Sequence, residues 1–410
     1  MRIRLPFIFI IVTVMIDAIG IGIILPVMPD LIQELTGGTV SEAAVWGGYL
    51  AFSYAAMQFV FSPILGGLSD RYGRRPVLLI SLLFLGLDYI VLALAGTIWL
   101  LFIARMLAGI TGATYAAAAA YIADISVPEE RAANFGIIGA AFGAGFVIGP
   151  VLGGLLGTVG PRAPFVAAAA LALGNAVLGY FILPETLSAE KRRRFSWRRA
   201  NPLGALAQMR LLPGLSGLVL VFLIFEITQG VYPSIWSYYT IERFGWGIGT
   251  VGLSLTVYGA CLVVAEGWLI RKIVPLVGAG RTVLVMLWLN VVIFGSLLMI
   301  RETWQIFAFL PFAAISGIVS PALAGLMSNR VGDDAQGELQ GVLGSCGALA
   351  AIIAPVMATA TFRAFTAPGA MVYLPPAPFA VCGLLILVAI VFFVRGWRAE
   401  AARRRPRPGA

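Results

Sequence analysis

The stretch GGLSDRYGRRPVLL, residues 66–79, places one carboxylate and three arginines between two long apolar runs. The preceding run, WGGYLAFSYAAMQFVFSPIL, covers residues 46–65, and the following run, VLLISLLFLGLDYIVLALAG, covers residues 77–96. Each run has about the 20 residues that a helix needs to cross the hydrocarbon core of a bilayer. The pattern therefore predicts two membrane spans joined by a short, strongly charged turn.

The composition of the whole chain agrees with this interpretation. The chain has 410 residues, of which 60% are hydrophobic and 11% are charged, and its mean hydropathy is +0.96. A soluble domain carries about 25% charged residues, so this chain has too few charges to cover a water-facing surface. The 48 glycines suit helices that pack closely in lipid. We therefore predict an all-α membrane protein.

Apolar runs of spanning length recur along the sequence, and we count twelve of them. The longest polar stretch, residues 184–210, divides them into two sets of six. We predict an N-terminal six-helix bundle over residues 1–183, a basic cytoplasmic linker over 184–212, a C-terminal six-helix bundle over 213–395 and a cytoplasmic tail over 396–410. The predicted spans begin near Leu5, Val45, Val77, Trp99, Phe135, Phe165, Pro213, Gly247, Thr282, Trp304, Gly341 and Pro376.

The distribution of positive charge predicts how the chain lies in the membrane. Cytoplasmic loops of membrane proteins are enriched in Lys and Arg. With both termini in the cytoplasm, 23 of the 28 Lys and Arg residues fall on the cytoplasmic side, 4 fall in outer loops and 1 lies inside a span. We therefore predict cytoplasmic termini and a cytoplasmic location for the charged turn at residues 66–79.

A weaker copy of the charged turn lies in the second half. RKIVPLVGAGRTVL, residues 271–284, keeps basic residues and glycines between the eighth and ninth spans but has no acid. Two six-span halves related by a weak repeat are typical of transporters that bind substrate near the middle of the membrane. The sequence has no glycine-rich phosphate loop ending in Gly-Lys-Ser or Gly-Lys-Thr. We therefore expect a gradient of ions or substrate, and not ATP, to supply the energy.

Ionisable side chains inside the spans are the first candidates for function. Placing one at the centre of a membrane helix costs about 2.5–3.5 kcal/mol, so each needs a physical reason. Asp17, Asp88 and Glu226 lie well inside the first, third and seventh spans, and Arg105 lies inside the fourth. A carboxyl group away from water binds a proton more readily, which makes these acids candidates for proton coupling. The alternatives are structural pairing of the acids and snorkelling of Arg105 to the membrane surface.

The charged turn itself combines residues suited to a conformational latch. Asp70 is not needed as a topology signal, but with the arginines around it it can hold helix ends together through charge-assisted hydrogen bonds. Gly66 and Gly73 permit a tight turn and a close approach of the backbone. The alternative is that the basic residues only set the topology.

The turn also resembles the signature that the major facilitator superfamily carries between its second and third spans. IARMLAGITGA, residues 103–113, resembles that superfamily's proton-linked arginine motif. GAAFGAGFVIGPVLGG, residues 139–154, resembles its antiporter motif. The resemblance covers essentially the whole chain and implies twelve transmembrane helices in two pseudo-symmetric six-helix bundles. The residues of the turn that carry it are Gly66, Leu68, Ser69, Asp70, Arg71, Gly73, Arg74 and Arg75.

Five stretches resemble the tetracycline/proton antiporters more narrowly, and this resemblance implies drug export in exchange for protons. They are DAIGIGIILPVMPDL (17–31), GRRPVLLISL (73–82), LDYIVLALA (87–95), RMLAGITGATYA (105–116) and YIADIS (121–126). The residues that it implies to be functional inside the membrane are Asp17, Asp88 and Arg105. The residues that it implies to form a cytoplasmic charge network are Asp70, Arg74, Asp124 and Arg131.

The span-five motif has a functional and a structural interpretation. By analogy with the superfamily, a bent or closely packed fifth span seals the export path in one conformation. The alternative is ordinary close packing, since small residues four positions apart bring membrane helices together. The motif residues are Gly139, Gly143, Gly149, Pro150, Gly153 and Gly154.

The chain departs from the tetracycline exporters in its second half. Those exporters carry a histidine in the eighth span and an acid in the ninth, whereas this chain has no histidine and has Asn290 in the ninth. Glu226 either takes the place of the missing acid or pairs with an arginine or with Gln229. Glu266, near the end of the eighth span, is expected to form an ion pair with Arg271. These changes favour export of some drug-like compound over export of tetracycline itself.

Aromatic and amide side chains on helices that face the centre in this superfamily are candidates for a drug site, although most aromatic residues in membrane helices serve packing or the membrane interface. These candidates are Tyr54, Gln58, Tyr232, Trp236, Tyr238, Asn290 and Gln340.

The function predicted from the sequence is proton-coupled export of a small amphiphilic drug across a bacterial inner membrane by a monomer. No cofactor, metal site or nucleic-acid partner is expected, since the chain has no histidine and its three cysteines lie in apolar runs. A divalent cation carried with the drug is left open. The alternatives are a proton-coupled importer with the same fold and a membrane sensor or scaffold; an enzyme is the least expected.

Overall fold

The computed structural model describes residues 5–112, 114–127, 130–188, 190, 192–193, 195, 215–332 and 335–404. Throughout these ranges the regular structure is helical. Twelve helices there are long and apolar enough to cross a membrane. The predicted count of twelve spans and the all-α fold class are therefore confirmed.

Six helices form the first half of the chain. α1 begins where its apolar run begins, and α2 begins before its predicted start because Thr39 and Glu42 form a capping box at its N-terminus. α4 is interrupted after its first segment, Ile98–Thr111, and continues as Thr114–Ile125. The bounds are α1 Leu5–Thr36, α2 Val40–Tyr72, α3 Arg74–Leu94, α4 Ile98–Ile125, α5 Arg131–Gly157 and α6 Ala163–Ile182.

Six further helices form the second half. α8 contains one π-helical turn, Ala265–Leu269, and α10 is interrupted between its segments Thr303–Ser316 and Val319–Ser328. The bounds are α7 Ser216–Phe244, α8 Ile248–Val277, α9 Ala279–Met299, α10 Thr303–Ser328, α11 Gln336–Thr366 and α12 Ala377–Arg404.

The turns of the two halves use glycine at matching positions. Gly37, after α1, and Gly245, after α7, both have a φ of +65°. Gly73, between α2 and α3, has a φ of +112°, and Gly278, between α8 and α9, has a φ of +86°. Residues other than glycine rarely adopt backbone conformations with such positive φ values. The weak copy of the charged turn seen in the sequence is therefore a repeat of the same backbone turn.

The interruptions inside helices also repeat. The first segments of α4 and α10 each contain 14 residues before the helix breaks. Pro150 lies as far from the first residue of α5 as Pro355 lies from the first residue of α11. These correspondences agree with two pseudo-symmetric six-helix halves.

By their internal contacts the residues group into two compact units. The first contains Met1–Pro202 and Thr240–Gly259, and the second contains Leu203–Tyr239 and Ala260–Ala410. Thr240–Gly259 belongs to the first unit because the backbone of α8 approaches α5 closely there, with Gly252 against Gly154. The domain boundaries predicted from the linker divide the chain by sequence position and not by contacts, and they stay a prediction.

Within the first unit, α1 and α5 pack backbone against backbone. A methyl group placed on Gly149 would lie 2.6 Å from the carbonyl oxygen of Ile19, and one on Gly153 would lie 2.6 Å from that of Ile23. Gly22 of α1 faces Gly149 in return. Small residues spaced by one helical turn permit this approach, which fixes the position of α1 and of the acid that it carries.

Candidate functional site

Asp88 of α3 and Arg105 of α4 form an ion pair in the interior of the first unit. The two residues are 6% and 9% exposed. The structure therefore brings together two residues that the sequence singled out separately, and Arg105 does not snorkel. Asp88 Oδ1 and Arg105 Nε have no hydrogen-bond partner in the described part of the chain, so the pair retains capacity to bind a further group.

Tyr54 and Gln58 of α2 lie next to this pair. The Arg105 guanidinium carbon is 5.7 Å from the centre of the Tyr54 ring, within the range of a cation–π interaction. Gln58 Nε2 donates to the Tyr54 hydroxyl at 3.2 Å and to the carbonyl oxygen of Gly112 at 2.9 Å. Gly112 lies at the interruption of α4, where a carbonyl loses its helical partner. Gln58 thus provides a hydrogen-bond partner for the Gly112 carbonyl oxygen at the break in α4, and it also orients Tyr54.

Asp17 of α1 completes the cluster. Its side chain is half-buried and forms no ion pair or hydrogen bond with any residue that the structure describes. Its charge acts on the phenols of Tyr54 and Tyr89. Asp17, Tyr54, Gln58, Asp88, Tyr89 and Arg105 are together called the first-unit cluster.

Tyr89 is the member of this cluster that the sequence analysis missed. It is 3% exposed, and its hydroxyl lies against Gly20, where it would overlap a methyl group placed on that glycine. A tyrosine in an apolar run resembles a packing residue. The available signal was its position directly after Asp88, in the predicted third span.

The second unit holds a separate acidic pair. Ser320 of α10 donates to Glu226 of α7 at 2.7 Å. Glu266 lies in the π-helical turn of α8, and the charges of Glu226 and Glu266 act on each other. The predicted ion pair between Glu266 and Arg271 is wrong: no such contact occurs among the described residues. Glu266 instead lies close to Gly317, at the break in α10.

Asn290 is a packing residue in this conformation. It is 0% exposed. Its amide donates to the carbonyl oxygens of Met286 at 2.9 Å and Ser316 at 3.4 Å, and its oxygen accepts from the Ser316 hydroxyl at 3.1 Å. Gln229 donates to the same oxygen at 3.5 Å. The hydrogen bonds join α7, α9 and α10, and a role for Asn290 in binding a drug stays a prediction.

The aromatic drug-site candidates of α7 are also buried. Tyr232, Trp236 and Tyr238 are 7%, 3% and 5% exposed, and the Tyr232 ring stacks on Phe294 at 5.7 Å. Gln340 is exposed on α11. Their contact with a ligand stays a prediction.

The charged turn at residues 66–79 is built around Arg74. Its guanidinium contacts Asp70 at 2.7 Å and Asp124 at 3.1 Å. Because Asp124 lies at the end of α4, the predicted link between the turn and the fourth span is present. Arg71 lies over the ring of its neighbour Tyr72 instead.

Glu185 is the partner of this turn that the sequence analysis missed. Its carboxylate accepts from the backbone N–H of Arg74 at 2.9 Å and of Arg75 at 3.3 Å. It therefore caps the N-terminus of α3 from the segment that follows α6. The carboxylate lies where a side chain on Gly73 would be, which explains the requirement for glycine at that position. The available signal for this contact was an acid at the start of the linker, which is distant in sequence from the turn.

Two residues predicted for the cytoplasmic charge network and for the tight turn do not take part as expected. Arg131 is exposed, and none of the ion pairs formed by the described residues includes it. Gly66 faces open space, whereas its neighbour Gly67 packs against Phe195. The close approach predicted for both Gly66 and Gly73 occurs at Gly73 and not at Gly66.

The glycines of the span-five motif have different surroundings. Gly149 and Gly153 face α1, and Gly154 faces Gly252 of α8. Gly139 faces open space, and Gly143 is half-buried. α5 continues through Pro150 without a break in its helical assignment. The packing interpretation therefore accounts for the second part of the motif, and the role of the motif in transport stays a prediction.

Comparisons with known proteins agree with this geometry. A sequence profile of the Major Facilitator Superfamily matches residues 10–355. The tetracycline resistance protein of class C from Escherichia coli is 39% identical over 352 residues, 86% of this chain and 88% of that protein. Multidrug resistance protein 2 from Bacillus subtilis (strain 168) is 29% identical over 361 residues, 86% and 87% of the two chains. The crystal structure of the human organic anion transporter MFSD10 (TETRAN) has the same fold, with a TM-score of 0.69 at 23% identity, over 95% of this chain and 99% of that chain.

Proposed function

Because the chain belongs to the major facilitator superfamily, we propose that it exports a small amphiphilic drug from the cytoplasm in exchange for protons. It is a multi-pass membrane transporter of small molecules and not an enzyme. The names of its relatives, tetracycline resistance and multidrug resistance proteins, support a drug as the substrate.

The observation that carries the proposal is that the Asp17 carboxyl group is unpaired among the described residues and lies in the same cluster as the ion pair of Asp88 and Arg105. Since Asp88 already neutralises Arg105, Asp17 is free to gain and lose a proton. A proton on Asp17 and a drug in the same space then compete, which is the requirement for exchange. Glu226 is proposed as a second proton or substrate group, supported by its interior position and by its contact with Ser320.

We further propose an orientation in the membrane and a cytoplasmic gate. The protein lies in a bacterial inner membrane with cytoplasmic termini, and the turn built around Arg74 closes the cytoplasmic mouth. Opening that mouth breaks the contacts of Arg74 with Asp70 and Asp124. Access to the substrate site alternates between the two sides of the membrane.

We also propose that the transporter works as a monomer without a cofactor, driven by the proton gradient. A divalent cation travels with those drugs that chelate one.

The experiment uses inverted membrane vesicles with an imposed pH gradient. Tetracycline is added first, followed by a panel of amphiphilic drugs, and proton release is recorded for the wild type and for Asp17→Asn. We expect drug-induced proton flux that Asp17→Asn abolishes. Asp30→Asn, on the same helix but outside the cluster, is the matched control and should retain the flux.

Folded wild-type protein that gives no flux with any compound would contradict the proposal and favour an importer. Equal flux in wild type and Asp17→Asn would contradict the role of Asp17. Replacing the pH gradient by a sodium gradient identifies the coupling ion.

A further inference from the structure

Two polar groups of the first-unit cluster have no hydrogen-bond partner in the described part of the chain. The Tyr89 hydroxyl makes no hydrogen bond within the described part of the chain, although the residue is only 3% exposed. The Asp17 carboxyl group also lacks a hydrogen-bond or ion-pair partner there. The Tyr89 oxygen is not fully buried, so it remains accessible to a hydrogen-bond partner.

The position of the Tyr89 hydroxyl relates it to Asp17. The hydroxyl lies against Gly20, and any side chain at Gly20 would displace it. Asp17 and Gly20 are three residues apart on α1 and therefore share a face of the helix. The charge of Asp17 acts on the Tyr89 phenol. The glycine thus admits the hydroxyl to the surface of α1 that carries the acid.

Tyr89 differs from the other donors of the cluster by its contact with Gly20, one helical turn from Asp17. Arg105 is paired with Asp88, and the Tyr54 hydroxyl accepts from Gln58 Nε2. α5 faces α1 with glycines, and α6 faces it with Asn175, which donates to Thr13 at 3.0 Å. The other titratable or charged groups around Asp17 and Tyr89 are Tyr54 of α2, Asp88 of α3 and Arg105 of α4.

We infer that Tyr89 is a positioning residue for proton coupling, whose hydroxyl donates to the Asp17 carboxylate and favours its deprotonated form. The bond forms when the carboxylate turns toward the face of Gly20. A hydrogen bond to the charged form of an acid opposes its protonation. Tyr89 therefore sets the pH at which Asp17 exchanges its proton, and this inference rests on the proposed role of Asp17.

The test measures protonation without requiring transport. The stretching band of protonated carboxyl groups is titrated by infrared spectroscopy on purified protein, and the part that Asp17→Asn removes is assigned to Asp17. We expect Tyr89→Phe to move the midpoint of that titration to higher pH by about one unit, a tenfold change in proton affinity. Tyr239→Phe is the matched control, since it removes a buried phenol hydroxyl from the second unit and should leave the midpoint in place.

Gly20→Ala provides a second variant in case Tyr89→Phe does not fold. It keeps the hydroxyl but displaces it from α1, so the midpoint should move in the same direction. A midpoint that neither variant moves, an equal movement in Tyr239→Phe, or the absence of a band that Asp17→Asn removes would overturn the inference. If the midpoint moves but no drug drives proton flux, the inference on Tyr89 stands and the proposed transport function fails.

Discussion

Asp88 and Arg105 compensate each other's charge in the interior of the protein. Without its partner, either charge would be isolated there. A buried ion pair adds little net stability, but removal of one partner leaves the other uncompensated. The pair is therefore more sensitive to single than to double substitution.

We expect Arg105→Gln to lower the free energy of unfolding by about 3–5 kcal/mol, because Asp88 loses its counter-charge. The double variant Asp88→Asn/Arg105→Gln should recover most of that stability and still fail to couple drug to protons. Unfolding in detergent and flux in vesicles measure the two effects. An equal loss of stability in the single and double variants would show that the charges do not compensate each other.

Glu226 provides the corresponding prediction for the second unit. We expect Glu226→Gln to reduce drug-driven proton flux by about tenfold or more, since a lost charge-assisted interaction is worth more than about 1.4 kcal/mol. Glu338→Gln, in the first turn of α11, is the control and should retain flux. Unchanged flux in Glu226→Gln would restrict coupling to the first unit.

At the scale of residues, the sequence predicted the charged members of the site better than the neutral ones. Asp17, Asp88 and Arg105 were recognisable because a charge inside an apolar run has an evident cost. Tyr89 carried no such cost and was missed. The pairing of Glu266 with Arg271 was mispredicted, since residues five apart do not face each other on a regular α-helix and Glu266 lies close to Gly317 of another helix instead.

At the scale of helices, the close approach of α1 and α5 depends on glycine. We expect Gly149→Ala to lower the free energy of unfolding by about 1–3 kcal/mol, since its methyl group would lie 2.6 Å from the Ile19 carbonyl oxygen. Gly136→Ala, on the same helix but facing open space, should be neutral or stabilising by up to about 1 kcal/mol. Thermal unfolding of the two variants in detergent makes the comparison, and similar losses in both would contradict close packing as the cause.

The existence of the helices was predictable, but their interruptions were not. Apolar run length fixes a span, whereas the break at Gly112 depends on Gln58, which lies on another helix. The cap on α3 likewise depends on Glu185, from beyond α6. Contacts between residues distant in the sequence leave little trace in local composition.

At the scale of the whole molecule, the proposed orientation predicts which loops face outward. We expect a membrane-impermeant thiol reagent to label Met371→Cys in intact cells, because that residue is fully exposed between α11 and α12. Ser188→Cys, in the segment after α6, should react only after lysis. A Cys261→Ser background removes the one native cysteine that is not buried. The reverse labelling pattern would contradict cytoplasmic termini.

The ion pair of Asp88 and Arg105 also bears on how the protein is made. Its two members come from successive helices, α3 and α4, which are joined by the short connection at residues 95–97. As the ribosome delivers this hairpin, the acid and the base can enter the bilayer together as a neutral unit, and neither helix has to cross alone with a bare charge. The two charges thus belong to helices that are synthesised one after the other. The same ion pair that serves the site thereby eases the insertion of α3 and α4.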